Sequence, residues 1–87
     1  MKIENLKVVL LVNNLRMVTQ IEEVTADLGE PDCKLTEPFV INDDGTLSPW
    51  LLDVTNDNTF MILSDKILTL CDPTGKIKDK YENLVKG

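Results

Sequence analysis

The side chains that carry most acid–base chemistry are scarce in this chain. There is no histidine, so proton transfer would fall to carboxylates, lysines or the single tyrosine, Tyr81. Glu22-Glu23 and Asp43-Asp44 are carboxylate pairs, but each pair is adjacent in sequence. Neighbouring side chains of a strand point to opposite faces, so neither pair converges on a substrate without a bulge. An enzyme is not expected. Cys33 and Cys71 are the two cysteines. Two thiols without imidazole partners do not complete a zinc site. Their count allows one disulfide, but with no signal peptide in view the expectation is two reduced, buried small hydrophobes in a cytoplasmic protein. Asn42-Asp43-Asp44-Gly45 is rich in oxygen donors. It lacks the EF-hand spacing and the closing glutamate, and reads as a hairpin turn. No metal and no cofactor are expected.

Three residues suit a different chemistry. Trp50 offers an indole face on which a base can stack, and the Asn56 and Asn58 amides can hydrogen-bond base edges. A tryptophan beside a proline also suits a core or a subunit interface. The net charge of −6, from 15 acidic and 9 basic residues, opposes broad binding to a phosphate backbone, which needs several Lys or Arg. It leaves open a local site that reads bases by stacking.

The elements that must position these residues are mostly strands. At 87 residues the chain is one domain that buries only about 60–65% of its unfolded surface. Self-association is therefore an expected source of stability. Val8 to Val12 is wholly apolar and suits a strand buried on both faces. It is too short to span a membrane. Asn13-Asn14 tolerates a tight turn. Residues 15–28 support two readings. Val18, Ile21, Val24 and Leu28 have helical spacing, with Asn14 as cap and Gly29 as stop. The β-branched Val18, Thr19, Ile21, Val24 and Thr25 favour a strand, with a bulge where the phase slips at Glu22-Glu23.

The central run 32–41 alternates with period two, placing Cys33, Leu35, Phe39 and Ile41 on one face. Pro38 lacks an N–H and requires an edge or a bulge. Further strands are expected at 49–56 and 59–71. The second is interrupted at Ser64-Asp65-Lys66, where one strand could serve two neighbours. Asp72 and Pro73 suit the N-cap and first position of a helix over 73–86. Its apolar stripe is Ile77, Tyr81, Leu84 and Val85, and Lys78 and Glu82 pair on its outer face. With strands at 7–12, 15–25, 32–41, 49–56 and 59–71, the chain reads as a strongly bent antiparallel meander or small barrel with a helical tail.

Short motifs along this pattern resemble a group of small marine phage proteins, cyanophage proteins in particular. They are Val8 to Val12, Asn13-Asn14, Ile21-Glu22-Glu23-Val24, Leu35-Thr36-Glu37-Pro38, Leu47-Ser48-Pro49-Trp50, Ile67-Leu68-Thr69-Leu70 and Pro73 to Tyr81. That group is similar in fold to the Sm and Sm-like proteins, which form closed rings and bind RNA. The resemblance implies a five-stranded Sm-like barrel and a homo-oligomeric ring of roughly five to seven subunits joined edge to edge. It implies RNA or single-stranded DNA as ligand, and the cytoplasm of an infected bacterium as location. The family's RNA-reading loops carry Asp-x-x-x-Asn and an Arg-Gly or Lys-Gly pair. This chain has Asp27-Leu28-Gly29-Glu30-Pro31 and Asn56-Asp57-Asn58 at those topological places, so Asn56, Asn58 and Trp50 are candidates by position alone. The competing expectation is an acidic homo-oligomeric interaction module without nucleic-acid affinity, which docks a protein partner through the ring or its C-terminal helix.

Overall fold

The computed structural model describes residues 5–51 and 54–86. They form six antiparallel strands and one C-terminal helix. The strands are β1 (Leu6–Leu11), β2 (Arg16–Glu23), β3 (Cys33–Ile41), β4 (Leu47–Pro49), β5 (Thr59–Ile62) and β6 (Ile67–Cys71), and the helix α1 spans Gly75–Lys86. The order across the sheet is β4-β3-β2-β1-β6, with β5 also on β3. The expected five-stranded closed barrel is not formed. The sheet is open in its hydrogen bonding, and its path ends at β4 and β6.

Residues 59–71 account for both the sixth strand and the missing closure. A 3-10 turn at Ser64–Lys66 breaks this run. Before the break β5 pairs β3, and after it β6 pairs β1. One run of sequence thus serves two neighbours, as its polar interruption indicated, but the link between the two ladders is covalent.

Within residues 15–25, Arg16–Glu23 resolve as a strand, β2. β2 pairs β1 through Val18↔Val8 and β3 through Ile21↔Leu35. Here β-branching prevails over helical spacing, since a central strand buries Met17, Val18 and Thr19 completely. Asn14 adopts φ 66° in the β1–β2 turn, and the Asn13 side chain accepts from the Leu15 N–H. Gly45 closes the second hairpin at φ 86°, which a residue without Cβ adopts freely.

The β2–β3 register shifts beside Thr19, with the extra residue on β3 rather than at Glu22-Glu23. Val18 faces Phe39 and Gln20 faces Thr36. Glu37 and Pro38 therefore oppose the single residue Thr19, a bulge that removes the need for a Pro38 N–H. The extra residue also breaks the expected alternation. Cys33 and Leu35 are buried, then Pro38, while Phe39 and Ile41 are only half-buried.

The core comprises Val9, Leu11, Met17 and Leu35, flanked by Leu15, Ile21, Val40, Trp50, Ile62 and Ile67. β1 is not buried on both faces, because Val8 and Leu10 are half-buried and Val12 is exposed. Cys33 is buried and Cys71 exposed, both as free thiols. The exposure of Cys71 corrects the expectation of two buried cysteines and follows from its place at the end of the terminal strand β6.

Of the expected strand at 49–56 only Pro49 is in a strand among the described residues, as the last residue of β4. Leu51 turns the chain away at φ 63°, and its carbonyl accepts from the Val54 and Thr55 N–H groups. Leu52 and Asp53 lie outside the described residues.

Helix α1 starts two residues after Pro73, with Thr74 rather than Asp72 as its cap. Thr74 Oγ1 accepts from the Ile77 N–H at 3.3 Å, satisfying one free donor of the first turn. Asp72 is engaged by Lys7 of β1. Tyr81 is fully buried and Ile77 and Val85 half-buried, whereas Leu84 is half-exposed. Glu82 pairs with Lys86 at 3.4 Å rather than with Lys78.

Candidate functional site

The β3 bulge forms one wall of a concave surface. Glu37 sits at φ 50°, a left-handed conformation that a residue with a Cβ rarely adopts. Its N–H donates to the Asn58 carbonyl at 2.7 Å. The next residue, Pro38, accepts from the Trp50 N–H at 3.1 Å. The bulge thus tethers both ends of the 50–58 loop, and with them two of the three residues singled out in the sequence.

Between bulge and loop lies a pocket of about 220 Å³. Glu37, Phe39, Trp50, Asn58 and Phe60 contribute to its lining, with Leu84 and Val85 from α1. Trp50 and Phe60 meet edge to face at 5.4 Å and 66°, a favoured geometry for aromatic pairs. The half-buried Trp50 is therefore both part of the core periphery and a wall of the pocket. Asn56 is exposed and lies outside the lining. The structure brings Trp50 and Asn58 together and leaves Asn56 apart.

The electrostatics of the pocket are acidic. Glu37 and Asp57 both line it, and among the described residues no Lys or Arg does. The Oε2 atom of Glu37 is buried, with no hydrogen-bond partner among the described residues. Glu37, Asp57 and Phe60 were not singled out in the sequence. Pro38 was the available signal: a proline that requires a bulge gives its neighbour an unusual backbone conformation.

Behind the pocket, Tyr81 ties the helix to the bulge. Its hydroxyl donates to the Thr36 carbonyl at 3.2 Å and accepts from Gln20 Nε2 at 3.1 Å. The Thr36 carbonyl also accepts from Thr19 Oγ1 at 3.1 Å. Phe39 meets the Tyr81 ring edge to face at 5.6 Å. Burial raises the Tyr81 pKa, and the nearby Glu37 charge raises it further against the lowering effect of Gln20. The phenol is thus held neutral, as a donor to Thr36 must be.

On the opposite side of the sheet's path, Asp32 joins the β2–β3 loop to the 3-10 turn. Its carboxylate accepts from the Ser64 N–H at 2.7 Å and from Ser64 Oγ at 2.8 Å. These bonds, the side-chain one first, hold its pKa below the ordinary value of 3.8. Among the described residues no group of three or more Cys, Asp or Glu side chains converges to hold a metal ion, and no helix is long and apolar enough to cross a membrane.

No curated protein matches the chain. A family model does match, over residues 4–86, and its description is a family of unknown function, DUF6561. That match covers nearly the whole chain, from the residues before β1 to the last turn of α1, and the chain belongs to this family.

Proposed function

We propose that this chain is a non-enzymatic Sm-like protein whose copies pair edge to edge into a ring, and that the ring binds RNA or single-stranded DNA. The observation that carries this reading is the division of residues 59–71. β5 and β6 each pair with one strand only, β3 and β1 respectively, so each retains an edge unpaired among the described residues. These strands also present Met61, Leu68 and Leu70, which are 46%, 58% and 48% exposed. Apolar side chains on an unpaired edge invite a further strand, and a ring removes the open edges of every subunit. Trp50 and Asn58 on one pocket supply an indole for stacking and an amide for a base edge. On this reading such binding serves nucleic-acid processing during phage infection.

A second reading is favoured by a specific observation. Glu37 and Asp57 line the same pocket, and the chain carries a net charge of −6. Both repel phosphate. On that reading the assembled protein is an acidic interaction module that docks a protein partner.

Light scattering at low salt, with and without a short U-rich or A-rich oligonucleotide, tests both readings. A ring-sized mass that rises by one oligonucleotide, and falls back as salt increases, supports nucleic-acid binding. A ring-sized mass without uptake supports the interaction module. A stable monomer overturns both.

A further inference from the structure

We propose that the pocket between the β3 bulge and the 50–58 loop binds a guanidinium group, presented as an arginine side chain by a basic protein partner. The inference rests on the interaction-module reading and names the chemistry that module recognises.

Three observations converge on this group. First, Glu37 lines the pocket, and one of its carboxylate oxygens, closed to solvent, has no hydrogen-bond partner among the described residues. A buried carboxylate oxygen is normally hydrogen-bonded, so turning this side chain out toward a donor in the pocket costs that oxygen no bond. Second, the walls are aromatic. Trp50, Phe60 and Phe39 surround the acidic groups, and a cation over an aromatic face is attracted by the ring quadrupole. Third, the charge around the pocket has one sign. Asp57 adds to Glu37, and none of the lining residues is basic.

The chain itself supplies no obvious occupant. Its single arginine, Arg16, already lies against Asp43 and the Asn42 carbonyl. Lys80 donates to the Gly45 carbonyl at 2.8 Å.

Arginine fits better than lysine. The guanidinium is planar, so it can stack on the Trp50 indole while its forked N–H groups meet the Glu37 carboxylate. An ammonium is more strongly hydrated and makes only point contacts. The backbone supports a dedicated role for Glu37. At φ 50° glycine or asparagine would fit with less strain, yet the position holds a carboxylate. Such strain marks a site where the side chain is needed.

Trp50 is the chain's one tryptophan, so its emission reports on this pocket alone. The full chain is titrated at low salt with a short Gly-Ser peptide carrying arginines, with its citrulline and lysine counterparts, and with an oligo-U. The expected result is a saturable change in Trp50 emission with the arginine peptide. Binding weakens about tenfold or more with citrulline, or in Glu37→Gln, because one charge-assisted pair is lost. Asp57→Asn, at the pocket's other carboxylate, weakens it less. Circular dichroism of both variants matches that of the parent chain. If Glu37→Gln unfolds, Asp57→Asn and the citrulline peptide carry the test. An equal response to the arginine and citrulline peptides overturns the guanidinium site. So does a silent Trp50 while the ring persists, and in that case the interaction-module reading stands without it. A Trp50 response to oligo-U but not to the arginine peptide overturns the site and that reading together.

Discussion

The Tyr81 hydroxyl donates to the Thr36 carbonyl at 3.2 Å, joining the C-terminal helix to the bulged strand β3. The bulge places Glu37 and Pro38 opposite a single β2 residue, and the carbonyl just before them takes side-chain donors from Thr19 and Tyr81. Removing the phenol oxygen leaves the Thr36 carbonyl one donor and deprives Gln20 of its acceptor. Tyr81→Phe is expected to destabilise the fold by about 1 kcal/mol. Tyr81→Ala removes a fully buried ring and is expected to destabilise it by about 3–5 kcal/mol. Denaturant midpoints at constant m-value check both, and a Tyr81→Phe chain as stable as the parent would show that these bonds contribute nothing.

The assignment of the helix cap makes opposite predictions for neighbouring residues. Thr74→Ala removes the acceptor for the Ile77 N–H and should destabilise the protein by about 1 kcal/mol. Asp72→Ala breaks only a surface pair with Lys7, and such exposed pairs contribute little to stability. Its effect should also shrink as salt is raised. A larger loss from Asp72→Ala than from Thr74→Ala would return the cap to Asp72.

Three aspartates set the acid limb of stability. Asp32, Asp44 and Asp72 all have pKa values below the ordinary 3.8, held down first by hydrogen bonds from Ser64, Thr46 and Lys7 respectively. A depressed carboxylate contributes stability above its unfolded pKa and loses it as pH falls through the folded value. Thermal stability should therefore stay level above about pH 5 and decline below about pH 4. Asp32→Asn, which keeps the shape but not the charge, should flatten part of that decline. An acid limb identical in Asp32→Asn would exclude Asp32 from it.

The apolar edge can be tested by charge. Leu68 and Leu70 project from β6 into solvent. Lysine on an edge strand blocks the approach of another strand. Leu68→Lys with Leu70→Lys should leave the far-UV circular dichroism unchanged and reduce the native mass from the assembled particle to a single chain. A charged edge that still assembles would move the interface away from β6.

Much of the fold was legible because strand signals are local. The apolar first strand, the Asn-Asn and Asp-Gly turns, the break at Ser64-Asp65-Lys66 and the Tyr81 stripe all rest on residues close in sequence. What was misread depends on pairing across the sheet. The phase slip at Glu22-Glu23 suggested a bulge on β2, but an extra residue on either partner produces the same slip, and here it lies beside Pro38 on β3. The expected 49–56 strand lies almost wholly beyond β4, which ends at Pro49, because nothing in Leu51 signals its left-handed φ of 63°. Asp72 was expected to cap the helix because its pairing with Lys7 joins residues far apart in the chain. The site was half legible. Trp50 and Asn58 were found by residue type, whereas Glu37 acquires its importance only from the bulge.

The split of residues 59–71 also has a kinetic meaning. The β1–β2 and β2–β3 ladders join consecutive strands, so they can form from local encounters at little loop-closure entropy. The β1–β6 ladder pairs Val8 with Cys71 and needs nearly the whole chain. β6 is then the last strand to join during synthesis, and until it does the edge of β1 that it covers stays open. The turn at Ser64–Lys66 is thus the joint between two ladders, one made with β3 and one completed on β1.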